Sequence, residues 1–138
     1  MRVDQTITYR TGYPVSVEQY TELLNSSTLG ERRPVDEPGR IASMLRNANL
    51  IVTAWDGGVL AGAARCMSDF AHATYCADLA VRLEYQHKGI GRALLAEVLR
   101  AGGCRIVLLA APAAFDYYGK VGMEKHPSAW ITTERGIV

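Results

Sequence analysis

The run Gln86-His87-Lys88-Gly89-Ile90-Gly91, with Arg92 next, has the residue types and spacing of an anion site. Glycine lets a backbone approach a ligand with no Cβ in the way. The run falls where a strand gives way to a helix, and the first N–H groups of a helix lack intrahelical partners. Together with the helix dipole they present roughly half a positive charge. Lys88 and Arg92 add full charges beside them, so a phosphate or pyrophosphate is the natural guest. Two other glycine-rich phosphate motifs fit poorly. GxxxxGK[ST] is absent, and so is GxGxxG with an acidic ribose partner downstream. Upstream, Asp78 is the only charged side chain inside the apolar run 75–81.

The elements that must position these residues can be read along the chain. Residues 6–11 are rich in β-formers and predict a first strand. Ser16 with Gln19 makes a capping box, with Val15 and Tyr20 as its hydrophobic staple. Val17, Tyr20, Leu23 and Leu24 continue the helical spacing to about Ser26. Residues 27–34 predict a loop. Asp36 is the expected cap of a second helix, with Pro38 in its first turn. Residues 50–55, the Asp56-Gly57-Gly58 turn and residues 59–68 predict a hairpin. Residues 75–81 predict a further strand, 89–101 a long helix stopped by Gly102-Gly103, and 105–110 a buried strand. Residues 113–121 predict a short helix and 130–133 a last strand. Hairpin-linked strands followed by βα units predict an α+β domain with a mixed sheet.

Composition bounds the rest. The chain has 138 residues, 49% hydrophobic and 21% charged, with a net charge of +1. That suits a single domain over 1–138 with a core of its own. Near-neutrality argues against a dedicated nucleic-acid or anionic-membrane binder. The longest apolar runs are far short of a membrane span of about 20 residues, and residues 1–4 begin no apolar signal core. Cys66, Cys76 and Cys104 lack metal-ligand spacing, and His72, His87 and His126 form no HExxH pattern. The reading is three buried thiols in a reducing cytoplasm, with no metal.

Gln86-x-x-Gly89-x-Gly91, between a strand ending Asp-Leu-Ala-Val and a helix, resembles the acetyl-CoA motif (Gln or Arg)-x-x-Gly-x-(Gly or Ala) of the GNAT N-acetyltransferase superfamily. About 30 residues on, Ala114-Phe115-Asp116-Tyr117-Tyr118-Gly119-Lys120-Val121-Gly122-Met123 is similar to that family's A-x-x-F-Y-x-K-x-G-F segment. Tyr118 falls on the family's tyrosine, Tyr117 on the preceding aromatic and Met123 on the final phenylalanine. The element order agrees over nearly the whole chain.

The resemblance implies the GNAT fold: a mixed, mostly antiparallel sheet splayed between its fourth and fifth strands, flanked by about four helices. It implies acetyl-CoA in that splay, its pantetheine arm along Leu79, Ala80 and Val81. The pyrophosphate would sit on Gln86, His87, Lys88, Gly89, Ile90, Gly91 and Arg92. It makes Tyr118 the candidate acid for the leaving thiolate and the strand N–H near Leu79 a donor to the oxyanion. Relatives often carry a glutamate base where this chain has Ala77, and an asparagine where it has Ala111. Asp78 is then the remaining side chain to orient or deprotonate an amine, unless water does so. The substrate segment of the family corresponds to residues 26–36. There Arg32 and Arg33 can meet a carboxylate or phosphate and Glu31 an amine, with Tyr75 as an apolar wall. The expected activity is direct acetyl transfer to a primary amine of a small molecule. The alternatives are a protein lysine or N-terminal acetyltransferase, or a catalytically silent acyl-CoA-binding module. Homodimers are common among relatives and are expected by analogy.

Overall fold

The computed structural model describes residues 6–137, so the reading of residues 1–4 lies outside it. Five strands form one sheet in the order β1-β2-β3-β4-β5. They are β1 (Thr8–Thr11), β2 (Leu50–Asp56), β3 (Val59–Ser68), β4 (Ala73–Val81) and β5 (Arg105–Leu108). The first four are antiparallel, and β5 runs parallel to β4. Helices α1 (Val17–Ser26) and α2 (Pro38–Arg46) precede β2. Helix α3 (Ile90–Gly102) joins β4 to β5, and α4 (Tyr117–Lys120) follows.

Helix α1 starts where the capping box predicts. Gln19 N donates to Ser16 Oγ at 3.1 Å and Ser16 N donates to Gln19 Oε1 at 3.0 Å, which satisfies two otherwise orphaned donors. Its apolar stripe, Tyr20, Leu23 and Leu24, packs with Ile41 of α2 and with Trp55, Leu60 and Ala80 of the sheet. On the other face Ile90, Leu94 and Val98 of α3 pack on Val52, Ala54, Ala64, Cys66 and Cys76. The small residues in the middle of β3 permit this double packing. A Cβ on Gly62 would stand 3.0 Å from Ala80 O and 3.2 Å from Leu94 Cδ1.

Several expectations are corrected. Glu37, not Asp36, caps α2, without a side-chain hydrogen bond; Pro38, which needs no N–H partner, opens the helix. The loop 27–34 contains a single 3₁₀ turn over Leu29–Arg32. The helix expected over 113–121 is broken into a 3₁₀ turn, Pro112–Ala114, and α4. Strand β5 stops at Leu108 and is an edge, with Val107 47% exposed, rather than a fully buried strand. Residues 130–133 form no strand; Trp130 is 98% exposed and Thr133 makes one isolated bridge to Gly136. A β-forming run needs a neighbouring strand to pair with, and beyond that one bridge this run has none among the described residues.

Candidate active site

The site is built around the second half of β4. Its parallel pairing with β5 runs from Ala73–Arg105 to Cys76–Leu108 and stops there, while β4 continues to Val81. At that point β4 bulges. Cys76 opposes Cys66 and Asp78 opposes Arg65, leaving Ala77 as the extra residue. A bulge bends its strand and interrupts pairing, so Leu79, Ala80 and Val81 have β3 on one side and no strand on the other. Cys76, before the bulge, and Leu79 and Val81, after it, all pack towards α3.

The strand leads into the glycine turn. Gln86 Nε2 donates to Val81 O at 3.0 Å, which ties the turn to the end of β4. His87 (φ 62°) and Gly89 (φ 82°) adopt left-handed backbone, and Gly89 caps α3. Ile90, the first residue of α3, packs in one cluster with Leu79 and Val81 of β4. Lys88 Nζ lies 5.6 Å from the centre of the Tyr85 ring, and Arg92 Nη2 donates to Lys120 O at 3.3 Å. A glycine N-cap, a glycine in the first turn and two nearby cations fit a diphosphate.

Tyr118 is half-buried, with Tyr117 edge-on to it at 5.3 Å between ring centres. Burial, then the neighbouring Cys76 and Tyr117, push its phenol up to about 12. Tyr118 therefore keeps its proton at neutral pH, as a donor to a leaving thiolate must. Hydrogen bonding to Cys66 and burial raise the Cys76 thiol far above its ordinary value, which disfavours the thiolate that a nucleophile needs.

Asp78 is fully engaged. It is 1% exposed, and Tyr20 Oη, Arg65 Nε and Arg33 Nε each donate to it at 2.6 Å. Burial works against its charged form. The Arg65 bond and charge, with Tyr20 and Arg33, outweigh that and hold its pKa below the ordinary carboxylate range. A carboxylate so held is a poor proton acceptor. Arg33 also donates to Ala77 O at 2.7 Å and to Arg32 O at 2.8 Å. Its guanidinium thus pins the segment between α1 and α2 to the bulge rather than standing open to a substrate anion. Glu31, Arg32 and Tyr75 are exposed, and of the three only Arg32 meets that cluster, through its backbone carbonyl. Sequence reasoning missed Tyr20 and Arg65 as Asp78's partners. Arg65 carried a signal, as the one charge inside an otherwise apolar strand; Tyr20 looked like a core aromatic. Among the described residues no group of His, Cys, Asp or Glu can hold a metal, and no helix is long and apolar enough to cross a membrane.

Residues 17–123 match the profile of the Acetyltransferase (GNAT) family. The chain belongs to this family. A relative, the uncharacterized N-acetyltransferase ycf52-like protein of Prochlorococcus marinus, is 32% identical over 114 residues, 77% of this chain. The chain spans 62% of that curated relative's length. A GNAT family acetyltransferase of Streptococcus pneumoniae superposes with a TM-score of 0.71 at 22% identity, over 94% of this chain and 100% of the other. The aminoglycoside N-acetyltransferase AAC(6')-Iy, solved with CoA, superposes with a TM-score of 0.75 at 16% identity, over 98% and 99%. The opening of β4 from β5 and the glycine turn of α3 are the two features of this chain that a ligand with an extended arm and a diphosphate would fit.

Proposed function

We propose that this chain is an acetyl-CoA-dependent N-acetyltransferase that acetylates a primary amine of a small molecule by direct transfer. The observation that carries the reading is the end of β4–β5 pairing at Cys76 and Leu108, beside a phenol that stays protonated. The bare edge of β4 offers backbone groups to an extended pantetheine arm, as a sheet edge accepts a peptide. The amine's lone pair attacks the thioester carbonyl and a C–N bond forms. The oxyanion takes a hydrogen bond from the strand N–H near Leu79. The C–S bond then breaks, and the sulfur takes the proton of Tyr118. The surplus proton on nitrogen leaves to water, and Tyr118 regains a proton from water, so that the net reaction is amine and thioester to amide and thiol. An alkyl amine with a pKa near 10 is free of its proton about once in a thousand at pH 7. Asp78, held by two arginines and a tyrosine, serves as an anchor of the acceptor side in this reading, not as its base. Glu31, Arg32 and Tyr75 remain candidates to touch the acceptor. Free thiols at Cys66, Cys76 and Cys104 support a reducing, cytoplasmic location. A homodimer belongs to the same reading, and light scattering tests it.

Calorimetry with acetyl-CoA is the first test; no binding at millimolar ligand overturns the proposal. A thiol-release screen over amines, amino acids, polyamines and lysine peptides then separates a small-molecule enzyme from a protein acetyltransferase and from a silent binder. With an active acceptor in hand, Tyr118→Phe is expected to lower kcat about a hundredfold and leave acetyl-CoA affinity nearly unchanged. An unchanged kcat removes Tyr118 as the acid.

A further inference from the structure

Tyr117 brings a hydroxyl to the first turn of α3. A Cβ built on Gly91 would lie 2.5 Å from Tyr117 Oη and 3.3 Å from its Cζ. The hydroxyl therefore rests on the backbone of the second residue of α3, where the helix's unpaired N–H groups emerge. Tyr118 stands edge-on to the Tyr117 ring, and the Arg92 charge acts on its phenol. The hydroxyl makes no hydrogen bond to another described residue and is not sealed off from solvent. Phenylalanine, the residue of the family pattern at this point, would fill the same space and donate nothing. A phosphate oxygen accepts hydrogen bonds and offers none at neutral pH, so a phenol aimed at this turn complements it.

We propose that Tyr117 Oη donates a hydrogen bond to a phosphate oxygen of coenzyme A, joining the N–H groups of α3 as a ligand of the pyrophosphate. The inference rests on the reading of the α3 turn as the coenzyme site. It also gives Gly91 a second reason to lack a side chain. Besides the close approach of the ligand, a Cβ there would displace the hydroxyl that helps to hold it.

The test is calorimetric, with CoA as the probe and no acceptor needed. Tyr117→Phe keeps the ring and its packing, and is expected to weaken CoA binding about tenfold, the size of a lost hydrogen bond to a charged group. Gly91→Ala is expected to weaken binding as well. In that background Tyr117→Phe is expected to cost little more, because the hydroxyl is already displaced; such non-additivity marks a shared contact. CoA affinity within twofold of wild type in Tyr117→Phe, tighter binding, or fully additive losses each overturn the proposal. Wild-type protein that binds no CoA at millimolar concentration overturns the coenzyme-site reading instead, so the two failures are told apart.

Discussion

Asp78 shows how far a single residue can be read. Its position as the lone charged group in an apolar strand marks it in the sequence, but what it does depends on groups 13, 45 and 58 residues away, brought to it by topology. Spacing along a chain says nothing of such partners, so the engagement of Asp78 is visible only once the sheet and α1 are assembled. Held by Arg33 and Arg65, it makes a stability prediction. Asp78→Asn leaves two arginines beside a neutral amide and is expected to cost about 3–5 kcal/mol in denaturant unfolding. The pH dependence follows in sign. The folded pKa of Asp78 is depressed, so its stabilisation is present above the ordinary aspartate value, about 3.9. It is lost as pH falls through the folded pKa. Wild type should thus lose more stability than Asp78→Asn on acidification below about pH 4.

At the scale of elements, local signals that close on themselves were legible. The Ser16–Gln19 box lies within four residues, and α1 begins there. Ser16→Ala is expected to cost about 1 kcal/mol by the same unfolding measurement, with the glycine turn of α3 untouched. Elements that need a distant neighbour were less legible. Residues 130–133 have strand-forming types and no strand beside them. Strand β5 looked central from its apolar run and is an edge. The alanines and glycine of β3 are poor strand formers, yet they are what lets α3 and the sheet close together. Gly62→Val tests this; with a Cβ only 3.0 Å from the Ala80 carbonyl, overpacking is expected to cost about 1–3 kcal/mol. Native thermal unfolding at wild-type temperature would contradict that packing.

For the whole molecule, a net charge of +1 hides an uneven distribution: cations gather at the start of α3 and a buried ion cluster lies on the opposite face of the sheet. The bulge at Ala77 stands between them, and its consequence is a separation of folding from function within one strand. Removing Ala77 would restore regular alternation: Cys76 would still face α3, Asp78 would still meet Arg65, and Leu79 and Val81 would keep their layer. The extra residue is therefore surplus to the hydrophobic code of the chain. It supplies the bend that parts β4 from β5. A chain lacking Ala77 is expected to fold, by circular dichroism, and to lose CoA binding by calorimetry. One residue would then be the difference between a well-formed domain with a closed sheet and one with a place for a substrate.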